Sequence, residues 1–233
     1  DREDAARRVE KAAREIAEKN KKAARDIKEL AKEAIKRTKE AAERVKRAAK
    51  RIAEAAEEGA DEKTLLEEAK ELAERAKRAS EDLARKWEKI ARDALRALEE
   101  SARDVRRLAK EAKDALRRDG GIREAAEAID RAVRKAEKTH KEAAEAIKRA
   151  LEDARKANED AARAIDDALR KLAEARDKDA VKRALEELAR AAEEAARADA
   201  EAAKKLAEAA ERAARANIKA LRDLAKAAKD AAR

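Results

Sequence analysis

Proline is missing from this chain and glycine occupies only positions 59, 120 and 121, so over most of its length nothing in the backbone chemistry interrupts a helix. The intervals are filled by Ala, Glu, Lys, Arg and Leu, the strongest helix formers. Glu57-Glu58-Gly59-Ala60-Asp61 predicts a helix end with Gly59 at C′ and Asp61 as the next N-cap, and Arg118-Asp119-Gly120-Gly121 repeats the stop signal. A third break, Arg176-Asp177-Lys178-Asp179, lacks glycine but gathers helix-start residues, with Asp179 as the N-cap for Ala180 onward. Four helices follow, at about 1–58, 62–118, 122–176 and 180–233, each about 80 Å long. Connections this short make neighbouring helices antiparallel. The expected fold is all-α: one elongated up-down-up-down four-helix bundle over 1–233, a monomeric rod with both termini at one end.

The spacing of apolar residues decides between a supercoiled and a straight bundle. Along the second helix the inward stripe starts Leu65, Ala69, Leu72, Ala76, Ser80, Leu83, Trp87 and continues through Ile90, Ala94, Leu98 and Ser101 to Leu116. From Leu65 it advances 36 residues in ten steps, a period of 3.6 rather than the 3.5 of a coiled coil. An 18-residue register of this kind leaves helices untwisted. Val9, Ile27 and Val45 fall 18 apart, as do Ile129, Ile147 and Ile165, and Leu188, Leu206 and Leu224.

Of the 102 hydrophobic residues 69 are alanine, which leaves 33 larger apolar side chains to fill a core. Antiparallel pairing groups Val9 with Ala112, Ile129 and Ala228; Ile27 with Ala94, Ile147 and Ala210; and Val45 with Ala76, Ile165 and Ala192. In each group large faces small, as close packing requires. Trp87 obeys the same rule, since its expected neighbours are Ala34, Ala154 and Ala203, so it reads as a packing residue rather than the wall of a ligand pocket.

Charge excludes more than it suggests. The net charge is +9, but 64 basic residues are interleaved with 55 acidic ones, with no basic block and no aromatic but Trp87, which argues against nucleic acid as a partner. The charge pattern predicts a solvated surface laced with i,i+4 ion pairs. With no cysteine and one histidine, disulfides, thiolate metal sites and multi-imidazole zinc centres are excluded. No apolar run approaches a membrane span, and Asp1-Arg2-Glu3-Asp4 does not open a signal peptide, so the chain reads as soluble with no membrane partner.

The few uncharged polar residues are the informative ones. Besides Thr64 at a helix start and Thr139 on a helix flank, they gather at two levels: Asn20, Ser101, His140 and Asn217 at one, and Thr38, Asn158 and the inward Asp199 at the other, with Ser80 one turn away. Each helix supplies one group to the first level. Such a ring suits a buried hydrogen-bond network that fixes register. Asp199 needs hydrogen bonds or a flanking base such as Arg37. Ser101 and His140 have the types of a nucleophile and base, but the only inward acid belongs to the other level, so no triad forms and no catalytic residue is assigned. The competing reading is a cofactor site: one inward histidine, His140, as axial ligand to haem or a related porphyrin, or part of a flat-ligand site with Ser101, Asn20 and Asn217. Against it, the adjoining Ala24, Leu98, Ala144 and Ala214 offer no aromatic to flank a macrocycle.

Glycine confined to helix ends, no Pro, Met, Phe, Tyr or Cys, Ala/Glu/Lys/Arg surfaces and the 18-residue register run through the whole chain. In these features it resembles computationally designed, single-chain, untwisted four-helix bundles with buried hydrogen-bond layers. The resemblance implies a rigid strut or building block for engineered assemblies, without natural enzymatic activity and requiring no cofactor or partner. Some similar bundles are carved to bind cofactors.

Overall fold

The computed structural model describes residues 2–118 and 123–233. Four helices make up almost all of it: α1 (Arg2–Glu57), α2 (Glu62–Arg118), α3 (Arg123–Glu174) and α4 (Lys178–Ala232), with no strand among the described residues. This is an all-α four-helix bundle. The predicted Gly120-Gly121 stop and residue 122, the expected first residue of the third helix, lie outside the described residues.

The α1–α2 turn forms as its sequence predicts. Gly59 has φ +87°, its N–H donates to Ala56 O at 3.4 Å, and the Ala60 N–H donates to Ala55 O at 3.1 Å. These two bonds make a Schellman motif, which satisfies carbonyls that the helix end leaves open. Asp61 then caps α2: its carbonyl accepts the Leu65 N–H at 3.0 Å, and its carboxylate accepts the Thr64 hydroxyl at 3.3 Å.

At the third break the cap is Asp177 rather than Asp179. Asp177 Oδ1 accepts the Ala180 N–H at 2.7 Å and Asp177 O accepts the Val181 N–H at 3.3 Å, so α4 starts at Lys178, while α3 ends at Glu174. Both aspartates suit a helix start, and placing the cap two residues earlier leaves Asp179 in the first turn, where the helix dipole favours a carboxylate.

The helices pack as two compact units, each with a segment from all four: Asp1–Leu30, Ala91–Lys148 and Lys205–Arg233 in the first, Ala31–Ile90 and Arg149–Lys204 in the second. In the first unit the expected group of Val9, Ala112, Ile129 and Ala228 forms one core cluster, together with Val105, Leu108, Leu221 and Leu224. In the second, Val45, Ala76 and Ile165 pack together with Ala192 against them, and Ile52, Leu65, Leu172 and Leu185 form a further cluster. The third group, Ile27, Ala94, Ile147 and Ala210, is also buried. All nine branched residues at the 18-residue spacing are buried, from Val9 to Leu224.

Interhelical ion pairs show the antiparallel register within each unit. In the first, Arg106 pairs with Glu137 and Lys113 with Asp130, so seven residues forward on α2 match seven back on α3. In the second, Lys77 pairs with Asp166 and Arg155 with Glu88, eleven forward and eleven back. Along single helices Glu10–Arg14, Glu33–Arg37, Glu71–Arg75 and Glu193–Arg197 put the acid N-terminal to the base, the better orientation at i,i+4. None of the described helices is long and apolar enough to cross a membrane.

Candidate functional site

The first polar level lies in the first unit. Asn20, His140 and Asn217 are buried and Ser101 is half-buried, each from a different helix as the register predicts. The Ser101 hydroxyl donates to Asn20 Oδ1 at 2.5 Å, joining α2 to α1. It therefore does not point its proton at the imidazole, and no nucleophile–base pair is formed. Burial pushes the His140 imidazole below its ordinary pKa, partly offset by the Asn217 side chain and the Leu98 backbone. The Asn217 contact is loose, because His140 Nε2 and Asn217 Oδ1 both lack a partner with hydrogen-bond geometry, as does Asn20 Nδ2. Next to His140 and Asn217 is a cavity of about 10 Å³, walled by Val105, Val133 and Ala136. Thr139 sits at the flank, its hydroxyl donating to Lys135 O at 3.2 Å.

The second level lies in the second unit and is better connected. Ser80 Oγ donates to Asn158 Oδ1 at 3.3 Å, and Asn158 Nδ2 donates to Asp199 Oδ1 at 3.0 Å, a relay from α2 through α3 to α4. Ser80 thus joins the level directly. Thr38 does not: although buried, its hydroxyl donates to Ala34 O at 2.7 Å, one turn back on its own helix. Arg37 is no partner to Asp199 either, since its guanidinium pairs with Glu33 at the surface. Asp199 is 1% exposed, and burial raises its carboxyl to about 6 despite the Asn158 hydrogen bond. Beside it is a cavity of about 40 Å³, whose other walls are mostly alanine with Val45, Leu83 and Ile165.

Trp87 is buried, as are Ala34, Ala154 and Ala203, the small residues expected at its level, and its Nε1–H has no acceptor among the described residues. It does not line the cavity at Asp199. Among the described residues no three His, Cys, Asp or Glu side chains gather as a metal site would need.

One feature escaped the sequence reading. In the first unit a groove of about 550 Å³ runs between α1 and α4, floored by Ala13, Ala17, Leu221 and Ala225 and edged by charged side chains such as Arg14 and Lys226. Its signal was present in the small residues that both helices bring there, Ala13 and Ala17 on α1 and Ala225 on α4. Comparison of the chain with protein-family models and with curated proteins finds no match.

Proposed function

We propose that the chain is a structural scaffold of the designed type, an alanine-packed rigid module whose buried polar levels hold helix register, with no catalytic role and no required cofactor or partner. The observation that carries this reading is that Asn20, Ser101, Ser80, Asn158 and Asp199 bond directly from one helix to another. Ser101 to Asn20 spans α2 and α1, and Ser80 to Asn158 to Asp199 spans α2, α3 and α4. Such bonds are satisfied in one register and stranded in others, so they specify more than they stabilise.

The rival reading, a bundle that binds a metalloporphyrin through His140, draws on the unpartnered Nε2. The space there weighs against it: about 10 Å³, where ligand pockets run to roughly 300–1,000 Å³. Titration with ferric haem separates the two readings. The scaffold reading expects no Soret shift that depends on the histidine; a sharp shift abolished by His140→Ala overturns it.

A further inference from the structure

The second polar level places a buried carboxylate, with no counter-charge among the described residues, beside a cavity. Asp199 accepts one hydrogen bond from Asn158, and the cavity of about 40 Å³ lies against it. The groups facing it from the other helices are Thr38 on α1, Ser80 on α2 and Asn158 on α3, none of them titratable, and Asp199 is the only titratable group in the lining. The rest of the wall is methyl groups, from Val45, Ile165 and several alanines. On the scale where a 150 Å³ cavity holds benzene, this volume takes about two non-hydrogen atoms. Ala42, Ala79, Ser80 and Leu83 at its edge are only half-buried, which gives a short path from solvent.

These features select the occupant. A calcium ion asks for six to eight oxygen ligands and a magnesium ion keeps several waters, and neither fits so small a space with one carboxylate and a methyl wall. A cation with N–H donors on one side and a methyl group on the other matches both walls, and it lifts the desolvation penalty on the carboxylate by supplying the missing charge. We propose that the Asp199 cavity is a binding site for a small primary alkylammonium ion, of which methylammonium is the fitting member. Asp199 and Asn158 Oδ1 receive its N–H groups, and the methyl group rests against Val45 and Ile165. Few atoms touch, so the dissociation constant is on the order of 0.1 M.

The test is thermal unfolding of the full chain in 0.2 M methylammonium chloride against 0.2 M sodium chloride at pH 7.5, with tetramethylammonium as the oversized control. The midpoint is expected to rise by about 2 °C with methylammonium alone. Asp199→Asn removes the response by removing the charge, and Ala161→Val removes it by filling the cavity with Asp199 intact. The two variants keep the test sound if one of them folds poorly. Intermolecular NOEs from the methylammonium methyl to the Val45 and Ile165 methyls locate the ion. An equal rise with tetramethylammonium, a rise that survives both variants, or NOEs only to surface residues overturns the proposal.

Discussion

Asp199 and His140 are both buried with too few partners, and their responses to pH have opposite sign. The folded carboxyl, raised to about 6, holds a proton that the unfolded chain releases near 3.9, so its contribution makes the protein more stable as pH falls, beginning near pH 7. From pH 7.5 to 5 this amounts to about 1 kcal/mol. The folded imidazole is lowered, so it resists a proton that the unfolded chain takes up near 6.5, and its contribution is lost as pH falls through that value. In denaturant melts, Asp199→Asn should therefore leave only loss on acidification over this window, and His140→Gln should leave only gain. At pH 7.5 the Asp199→Asn variant should be as stable as the parent or more so, because Arg37 is engaged elsewhere; a loss above about 3 kcal/mol would mean that a buried ion pair holds Asp199. Sequence spacing placed every one of these side chains on the right face, since position around a helix follows from 3.6 residues per turn. It did not reveal where Thr38 turns its hydroxyl or which acid holds Arg37, because those depend on rotamer choice between a partner one turn away and one across the bundle.

At the scale of the element, the helix ends are where local chemistry decides most. A Cβ built on Gly59 meets nothing within 4 Å, so the only cost of a side chain there is the left-handed backbone. Gly59→Ala should destabilise by about 1 kcal/mol and Gly59→Asn by less, read as shifts in unfolding midpoint. Asp177→Ala should cost about 0.5–2 kcal/mol as loss of a cap, and Asp179→Ala at most about 1 kcal/mol as loss of a favourable charge in the first turn. The reverse order would return the cap to Asp179. Four long helices were readable from the absence of breakers, and Gly59 is legible because the left-handed backbone of a helix end suits glycine above other residues. The choice between two aspartates two residues apart was not legible, as either can accept the first free N–H.

For the whole molecule, the question is what makes one packing better than its neighbours when so many contacts are alanine. Shifting a helix by one turn exchanges alanine for alanine at many core positions, but it breaks the Ser101–Asn20 bond and leaves the Asn20 carbonyl against methyl groups, at roughly 1–3 kcal/mol per stranded group. Replacing Asn20, Ser101, His140 and Asn217 with Ala or Leu should leave helicity and thermal stability unchanged or higher while broadening methyl and amide NMR signals. One sharp set of signals would show that these residues are not needed for register. The core layers were legible because large and small residues complement each other across helices, whereas the groove between α1 and α4 was not, since it is a gap in surface packing that the inward stripes do not encode. Trp87 carries one more consequence. It is the sole indole of the chain and belongs to the second unit, buried and with no acceptor for its N–H among the described residues, while the sole imidazole belongs to the first. Each unit thus holds its own natural spectroscopic label: a red shift of the tryptophan emission reports loss of structure in one, and the histidine ring protons report it in the other, without attaching a dye to either.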